Sequence, residues 1–589
     1  MIVFDFEVLK YNWLVVFLDL EKREYTIIHD NKLELELYYN EHKQDVFIGY
    51  NAKNYDKYIF QGILSNCNPY LISQHIIEFR MNGYDFNDLD NEKYPLMIFD
   101  CMKLSDGGLK SLEGFMGNDI EESKISFDID RPLTDDEMEV LTNYCIHDVE
   151  QTTLIASKRY SQFETFVNLI NKFSLPLTYL SSTESKLAEK ILNAQQQQLT
   201  SEQFNIRIPE TLDLNKYKYI AEWYLDKNNH DYSKKLEVIV ADIKCVFAWG
   251  GLHGAKPKYI SKENGFYCMI DVTSLYPSIM IEYDLLSRSV KGKDRELYKQ
   301  IYFDRIKYKY GNETEKQLSN AYKLVLNVTY GAMKSVYNKL YDPLNANLVC
   351  IFGQLLILDL VEQLEKELSC EFIQINTDGI LIKLDECDNN KMKEIISIWE
   401  KRTKLKMDYT YFSQIIQKDV NNYIAISNDG SYKCKGAYVK KTNDLDYDLN
   451  IVNKAIKEYF VNGTPPQETI NNCTNLRDFQ KIIKLTSKYK AMYHNNTELF
   501  GTVFRVFASN EMKDGCLFKC KSVKGVDKYE KVANTPLKAF ICNEDINDTN
   551  ISKMYLDKLD KSYYIQLAYD RINDFGCAHN EVGQLSFNF

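Results

Sequence analysis

The chain has 589 residues, 45% hydrophobic and 26% charged, a balance that argues against wholesale disorder. That length exceeds what one core organises and predicts about three to five domains or subdomains. No run approaches the roughly 18 apolar residues of a membrane span, and the N-terminus lacks a basic-then-apolar signal pattern. The fourteen scattered cysteines read as reduced thiols in a reducing compartment, since Cys516 and Cys520 have no second pair or histidine at zinc-ligand spacing. A net charge of −12 does not advertise a nucleic-acid binder, yet residues 291–340 hold eleven Lys/Arg against five Asp/Glu and residues 401–441 nine against three. Such blocks are either solvated faces or phosphate-binding surfaces, and composition alone leaves both open.

In chain order, Ile2–Val8 alternates carboxylates with apolar residues, so Asp5 and Glu7 share one strand face, and Trp13–Leu18 reads as a second strand. Residues 46–51 predict an apolar strand ending at Asn51, and Asn54-Tyr55-Asp56 opens a helix. Thr134-Asp135-Asp136-Glu137 is an N-cap with an acidic first turn, and the helix it starts carries Tyr144 and Asp148 on one face. A helix-like stretch over 182–192 ends in the glutamine run 195–198, a surface connection. Trp249-Gly250-Gly251 implies a turn or a close backbone approach. Phe266–Ile270 reads as a buried strand delivering Asp271, residues 314–331 and 351–368 as helices, and Phe372–Ile375 with Ile380–Leu384 as two strands joined by the tight turn Asn376-Thr377-Asp378-Gly379.

Asp5, Glu7, Asp56 and Asp148 come from separate elements. Gathered together, they would repel one another and demand divalent metal, and an all-oxygen donor set suits Mg²⁺, with Mn²⁺ as a substitute. Two such ions about 3.5–4 Å apart are suited to phosphodiester hydrolysis. Tyr144 would orient the attacking water, and Asn51 with Tyr55 would hold the terminal nucleotides. In order, these residues resemble the three exonuclease motifs of proofreading DNA polymerases. The resemblance implies an RNase H-like 3′→5′ exonuclease domain over residues 1–180, and Lys124 resembles an accessory lysine of small phage relatives.

Asp271-Val272-Thr273-Ser274-Leu275-Tyr276-Pro277-Ser278 resembles motif A of family B DNA polymerases. Chemically, Asp271 would ligate both metals and the Val272 carbonyl would complete one shell. The turn through Ser274 and Leu275 would present N–H groups to a triphosphate, and the Tyr276 ring would exclude a 2′-hydroxyl. Lys323 to Gly331 resembles motif B, with Lys323, Asn327 and Tyr330 on one helix face and Lys316 near it. Asn376-Thr377-Asp378-Gly379 resembles motif C, usually Asp-Thr-Asp-Ser. Asp378 is the expected metal ligand, while Asn376 and Gly379 depart from the pattern and predict altered metal affinity or activity. Asn421-Asn422-Tyr423 falls where the family places a Lys-x-Tyr element at the primer end, with Lys433 and Lys435 ranked above Lys418 as the source of charge. Gly250 and Gly251 resemble the glycine pair linking exonuclease and polymerase halves.

The implied fold is α/β and α+β multidomain: an RNase H-like exonuclease plus a right-hand palm, fingers and thumb. Residues 181–265 connect to the polymerase, 266–290 and 340–440 form the palm, 291–339 the fingers and 441–580 the thumb. The intervals between motifs, 52 and 55 residues, leave little room for the two insertions of protein-primed members. A polymerase without them would release DNA readily. Residues 581–589 would then supply a tether, because Gln584, Leu585, Phe587 and Phe589 resemble a bacterial sliding-clamp-binding peptide. The expected function is a template-directed DNA polymerase with 3′→5′ proofreading in phage genome replication. It would be an intracellular monomer in the cytoplasm of an infected bacterium, binding primer–template DNA and dNTPs and no membrane. The alternatives are a repair or degradative exonuclease with a decayed polymerase half, or a non-catalytic DNA-binding scaffold.

Overall fold

A computed structural model describes residues 1–90, 93–197, 202–261, 263–436 and 438–577; the four tail positions Gln584, Leu585, Phe587 and Phe589 lie outside them. The chain divides into two compact units: residues 1–182, 442–451 and 473–564 form one, and residues 183–441, 452–472 and 565–589 the other. The stretch 441–580, predicted as one thumb, is therefore split between the units.

The first unit is built on a five-stranded mixed sheet in the order Glu24–His29, Trp13–Asp19, Ile2–Val8, Val46–Gly49, Met97–Asp100. The first three strands run antiparallel to their neighbours and the last two join in parallel, an α/β layer of the RNase H-like kind implied by the sequence. Period-two alternation sorts the first strand between two cores. Phe4 and Phe6 pack with Phe17, Phe47 and Phe60 on one side; Val3 packs with Val16, Leu141, Cys145 and Val149 on the other. That second core anchors the helix Asp135–Lys158, whose capping box joins Thr134 and Glu137 as the sequence predicts. Residues 473–564 add a three-stranded and a four-stranded antiparallel sheet to this unit.

The second unit centres on a seven-stranded sheet in the order Met407–Phe412, Phe266–Val272, Gly379–Leu384, Cys370–Asn376, Gly251–Ala255, Ile243–Ala248, Lys235–Val240, antiparallel throughout. The helix Pro343–Glu367 packs against it, Leu275–Glu282 packs on that helix, and Glu313–Ala332 packs on Leu275–Glu282 and on Lys293–Tyr308. A smaller sheet pairs Gln414–Asp419, Asn422–Ile426 and Tyr432–Lys435. The helix Pro343–Glu367 corrects one sequence expectation: its mean hydropathy of 1.8 over 18 residues is long and apolar enough to cross a bilayer. Its apolar window is 94% buried within the protein, so it serves as the spine of this unit's core, where an all-round apolar helix is expected.

Candidate active sites

The first unit gathers the four predicted carboxylates. Asp5 and Glu7 sit on the sheet face that meets the helix Asp135–Lys158, and the Cys145 thiol of that helix donates to the Asp5 carbonyl at 3.5 Å. Asp56, at the start of the helix Asp56–Leu64, accepts from the Phe6 amide at 3.0 Å, which ties that helix to the strand carrying Asp5 and Glu7. Asp148 lies one turn after Tyr144. Glu7, Asp56 and Asp148 are buried.

Burial and mutual repulsion push these acids up. Asp5 rises well above the ordinary carboxylate range through burial first, then through Asp56, Glu7 and Asp148. Glu7 rises likewise through burial and then Asp148. Burial carries Asp56 to about 7 and Asp148 to about 6, the latter offset by Lys110. The Tyr144 phenol is raised by burial and by Asp148, Glu7 and Asp5, which places it at the cluster. Ligand atoms of Asp5, Glu7 and Cys145 lie within 4.8 Å of one another. Four convergent carboxylates with so little positive charge among them fit a hard divalent cation.

Tyr55 adjoins this cluster, its phenol raised by burial and then by Asp56, Glu7 and Asp5. Asn51 takes a left-handed φ of 64°, and its amide donates to Asp100 at 3.0 Å. The Tyr55 hydroxyl hydrogen-bonds Ser73 at 2.9 Å. Lys124 is exposed, and the lysine that reaches the carboxylates is Lys110, which donates to Asp148 and, at 3.2 Å, to Glu113. Lys110 was missed because its only signal is a Lys-x-x-Glu spacing, common on any helix.

In the second unit the central strands bring Asp271 and the Asn376–Gly379 turn together. Asp271 lies opposite Gly379 in the antiparallel register, and the Val272 amide donates to the Asp378 carbonyl at 2.8 Å. Gly379 is required by this close approach: a Cβ there would stand 2.3 Å from Asp271 Oδ1 and 2.5 Å from the Ile270 carbonyl. Asp271 is raised to about 6 by burial and then by Asp378, and Lys433 and Lys435 pull it back. Asp378 is exposed. A third acid, Asp408, sits directly across from Asp271 on the neighbouring strand; a lone Asp in Met407–Phe412 carries no sequence signal.

Asn376 belongs to a directed amide chain. Its Nδ2 donates to Gln374 Oε1 at 3.1 Å, Gln374 donates to Gln417, and Gln417 Nε2 donates to the Lys256 carbonyl at 2.6 Å. An aspartate at 376 would have no donor for Gln374, which explains this departure from motif C. Gly251 is likewise a close approach: a Cβ there would lie 2.7 Å from Thr377 Oγ1, and Thr377 accepts from the Leu252 amide at 2.8 Å. Gly250 is exposed, with open space around it.

Ser274 adopts a left-handed φ of 52° and heads the helix Leu275–Glu282, so the first N–H groups of that helix start beside Asp271. The Arg305 guanidinium, from Lys293–Tyr308, donates to Ser274 Oγ, a contact no local motif announces. Tyr276 stacks on Tyr330 at 4.1 Å between centroids, joining motif A to motif B. On Glu313–Ala332, Lys316, Lys323 and Asn327 are exposed, with Tyr330 partly buried. Tyr423 is raised by burial and then by Asp271 and Asp378, and it pairs with Lys435 across the small sheet, as Ala425 does with Lys433. Lys418 is engaged elsewhere: its ammonium lies 4.1 Å from the Tyr438 ring centroid and 3.6 Å from Asp574.

No family model matches the chain. It is 25% identical over 256 residues to DNA polymerase 1 of Saccharolobus solfataricus, covering 42% of this chain and 26% of that protein. To DNA polymerase 1 of Sulfolobus acidocaldarius it is 23% identical over 303 residues, covering 48% and 31%. The matched stretches thus span less than a third of these curated relatives. Among solved structures, a family B DNA polymerase of Pyrobaculum calidifontis aligns with 99% of this chain and 78% of its own at a TM-score of 0.41 and 14% identity. The chain is thus similar in sequence, over less than half of its length, to curated archaeal DNA polymerases.

Proposed function

We propose that the chain extends a primer 3′-hydroxyl with dNTPs under template direction and removes misincorporated nucleotides in the 3′→5′ direction. The observation that carries the polymerase reading is the backbone bond from Val272 to Asp378, with Asp271 opposite Gly379, which sets two acids from remote motifs at adjacent strand ends. Asp271 and Asp378 would hold the divalent ions, Mg²⁺ or Mn²⁺, which when bound activate the primer hydroxyl and offset phosphate charge. The residues of the chain do the rest. The Ser274 turn and the N–H groups of Leu275–Glu282 receive the triphosphate, with Arg305, Lys323 and Lys316 as counter-charges. Tyr276, braced by Tyr330, lies under the sugar, Asn327 lines the same helix face, and Tyr423, Lys433 and Lys435 hold the primer end. Gly251 lets the backbone pass close to the motif C turn.

Degradation belongs to the other cluster. Asp5, Glu7, Asp56 and Asp148 would hold the ions there, Tyr144 orients water, and Asn51 and Tyr55 grip the frayed end. The phage setting, without protein priming, rests on the short intervals between motifs, and the curated relatives are archaeal. A clamp tether through Gln584 to Phe589 is tested by deleting the last six residues with and without clamp; equal losses would sink it. The test of the whole reading is extension of a labelled primer–template with Mg²⁺. Four dNTPs should give full-length product and omission of one should stall synthesis at the first template position needing it. Shortening without extension in both lanes would leave a nuclease alone.

A further inference from the structure

We infer that Glu113, backed by His147, is a positioning residue that fixes Lys110 as a resident cation on the Asp148 side of the carboxylate cluster. The inference deepens the exonuclease reading and rests on it. The helix Leu109–Met116 puts Lys110 and Glu113 on one face at i and i+3. Its far end is pinned within the same unit: Arg477 Nε donates to the Phe115 carbonyl at 2.9 Å, and Arg505 Nη2 to the carbonyls of Asn118 at 2.5 Å and Gly114 at 3.4 Å. Arg505 is itself fully buried. Lys110 and Glu113 therefore stand on a helix with little freedom to turn.

Glu113 is 0% exposed. Its Oε1 accepts from Lys110 at 3.2 Å, while its Oε2 lies 3.7 Å from His147 Nε2 and makes no hydrogen bond among the described residues. A carboxylate so placed is tolerated only beside a cation. Ligand atoms of Glu113, His147 and Asp148 fall within 4.8 Å of one another, but it is the Lys110 ammonium that bridges the two acids, 4.5 Å from the Tyr144 ring centroid. A lysine on a flexible stem facing Asp148 alone could follow that carboxylate or swing to solvent. A second, immobile carboxylate gives it one location. Lys110 thereby engages Asp148 Oδ1, leaves Oδ2 for the cluster, and lowers the negative charge a divalent ion meets.

The test uses the full chain with Asp271→Asn and Asp378→Asn, so that Mn²⁺ titration reports the first cluster alone. Lys110→Met should tighten Mn²⁺ binding by about tenfold, the effect of one charge at close range. It should also lower single-strand degradation and depress the thermal midpoint in EDTA, because Glu113 is left unpaired. Glu113→Gln should weaken Mn²⁺ binding several-fold, since the ammonium then leans wholly on Asp148, and lower kcat with KM unchanged. In the Lys110→Met background, Glu113→Gln should leave Mn²⁺ affinity and kcat unmoved and restore the midpoint. Equal effects of Glu113→Gln with and without Lys110 would overturn the inference. A parent chain that degrades nothing would refute the exonuclease reading, while Mn²⁺ affinity and thermal midpoint would still judge the Lys110–Glu113 pair.

Discussion

The two acidic sites solve one electrostatic problem in different ways. In the first unit four carboxylates converge with Lys110 beside Asp148, and burial drives Asp56 to about 7 and Asp148 to about 6. In the second unit Asp271 shares its strand end with an exposed Asp378 and draws on Lys433 and Lys435. A site that lacks counter-charge depends on bound cations for its stability as well as its chemistry. A site with lysines and an open face has less need of cations to keep its fold. The contrast suits the proposed roles: water must be held tightly in one, while a large triphosphate must enter and pyrophosphate leave the other.

The sharpest way to break this contrast is separation of activities. Asp271→Ala should reduce extension by a factor on the order of a thousand or more while single-strand degradation persists, and Asp5→Ala with Glu7→Ala should do the reverse. Loss of both activities in either variant would indicate misfolding rather than two sites.

Next comes the response to pH without metal. Carboxyls whose folded pKa is raised bind protons more tightly in the folded chain, so stability falls as pH rises from the unfolded value near 4 through about 6 for Asp148 and Asp271 and about 7 for Asp56. In EDTA the thermal midpoint should be higher at pH 5 than at pH 8, Mg²⁺ should recover it at pH 8, and Asp56→Asn should flatten the slope. An unchanged slope in that variant would mean the cluster does not govern stability.

Smaller effects sharpen the second site. Lys323→Ala should raise the KM for dNTPs by roughly tenfold or more, with degradation unchanged, by removing one phosphate partner. Gly379→Ser restores the usual motif C residue, yet should cost extension about tenfold, because the new Cβ collides with Asp271 and a backbone carbonyl. Asn376→Asp should change extension least, within about threefold, with a small loss of thermal stability from the broken amide chain.

Residues whose chemistry depends on local spacing were legible in the sequence. Period-two alternation put Asp5 and Glu7 on one face, helical spacing aligned Tyr144 with Asp148, and the strand–turn–strand pattern set Asp378 at a tight turn. What escaped was set by long-range register. Asp408 faces Asp271 only because two strands far apart in sequence pair, and Arg305 meets Ser274 across helices. That Lys110 reaches Asp148 while Lys124 is exposed has the same origin, since nothing in the order of residues says which lysine turns inward. The proposed thumb shows the limit most plainly: residues 473–564 carry two sheets and pack with the first unit, a partition that no composition shift marks.

The most direct measurement is anomalous diffraction from crystals of the chain with primer–template and a non-hydrolysable dNTP, soaked in Mn²⁺. Peaks between the carboxylates of Asp271 and Asp378, and separately among Asp5, Glu7, Asp56 and Asp148, are expected. Density at neither group of carboxylates, with the nucleotide bound elsewhere, would contradict the two-site account.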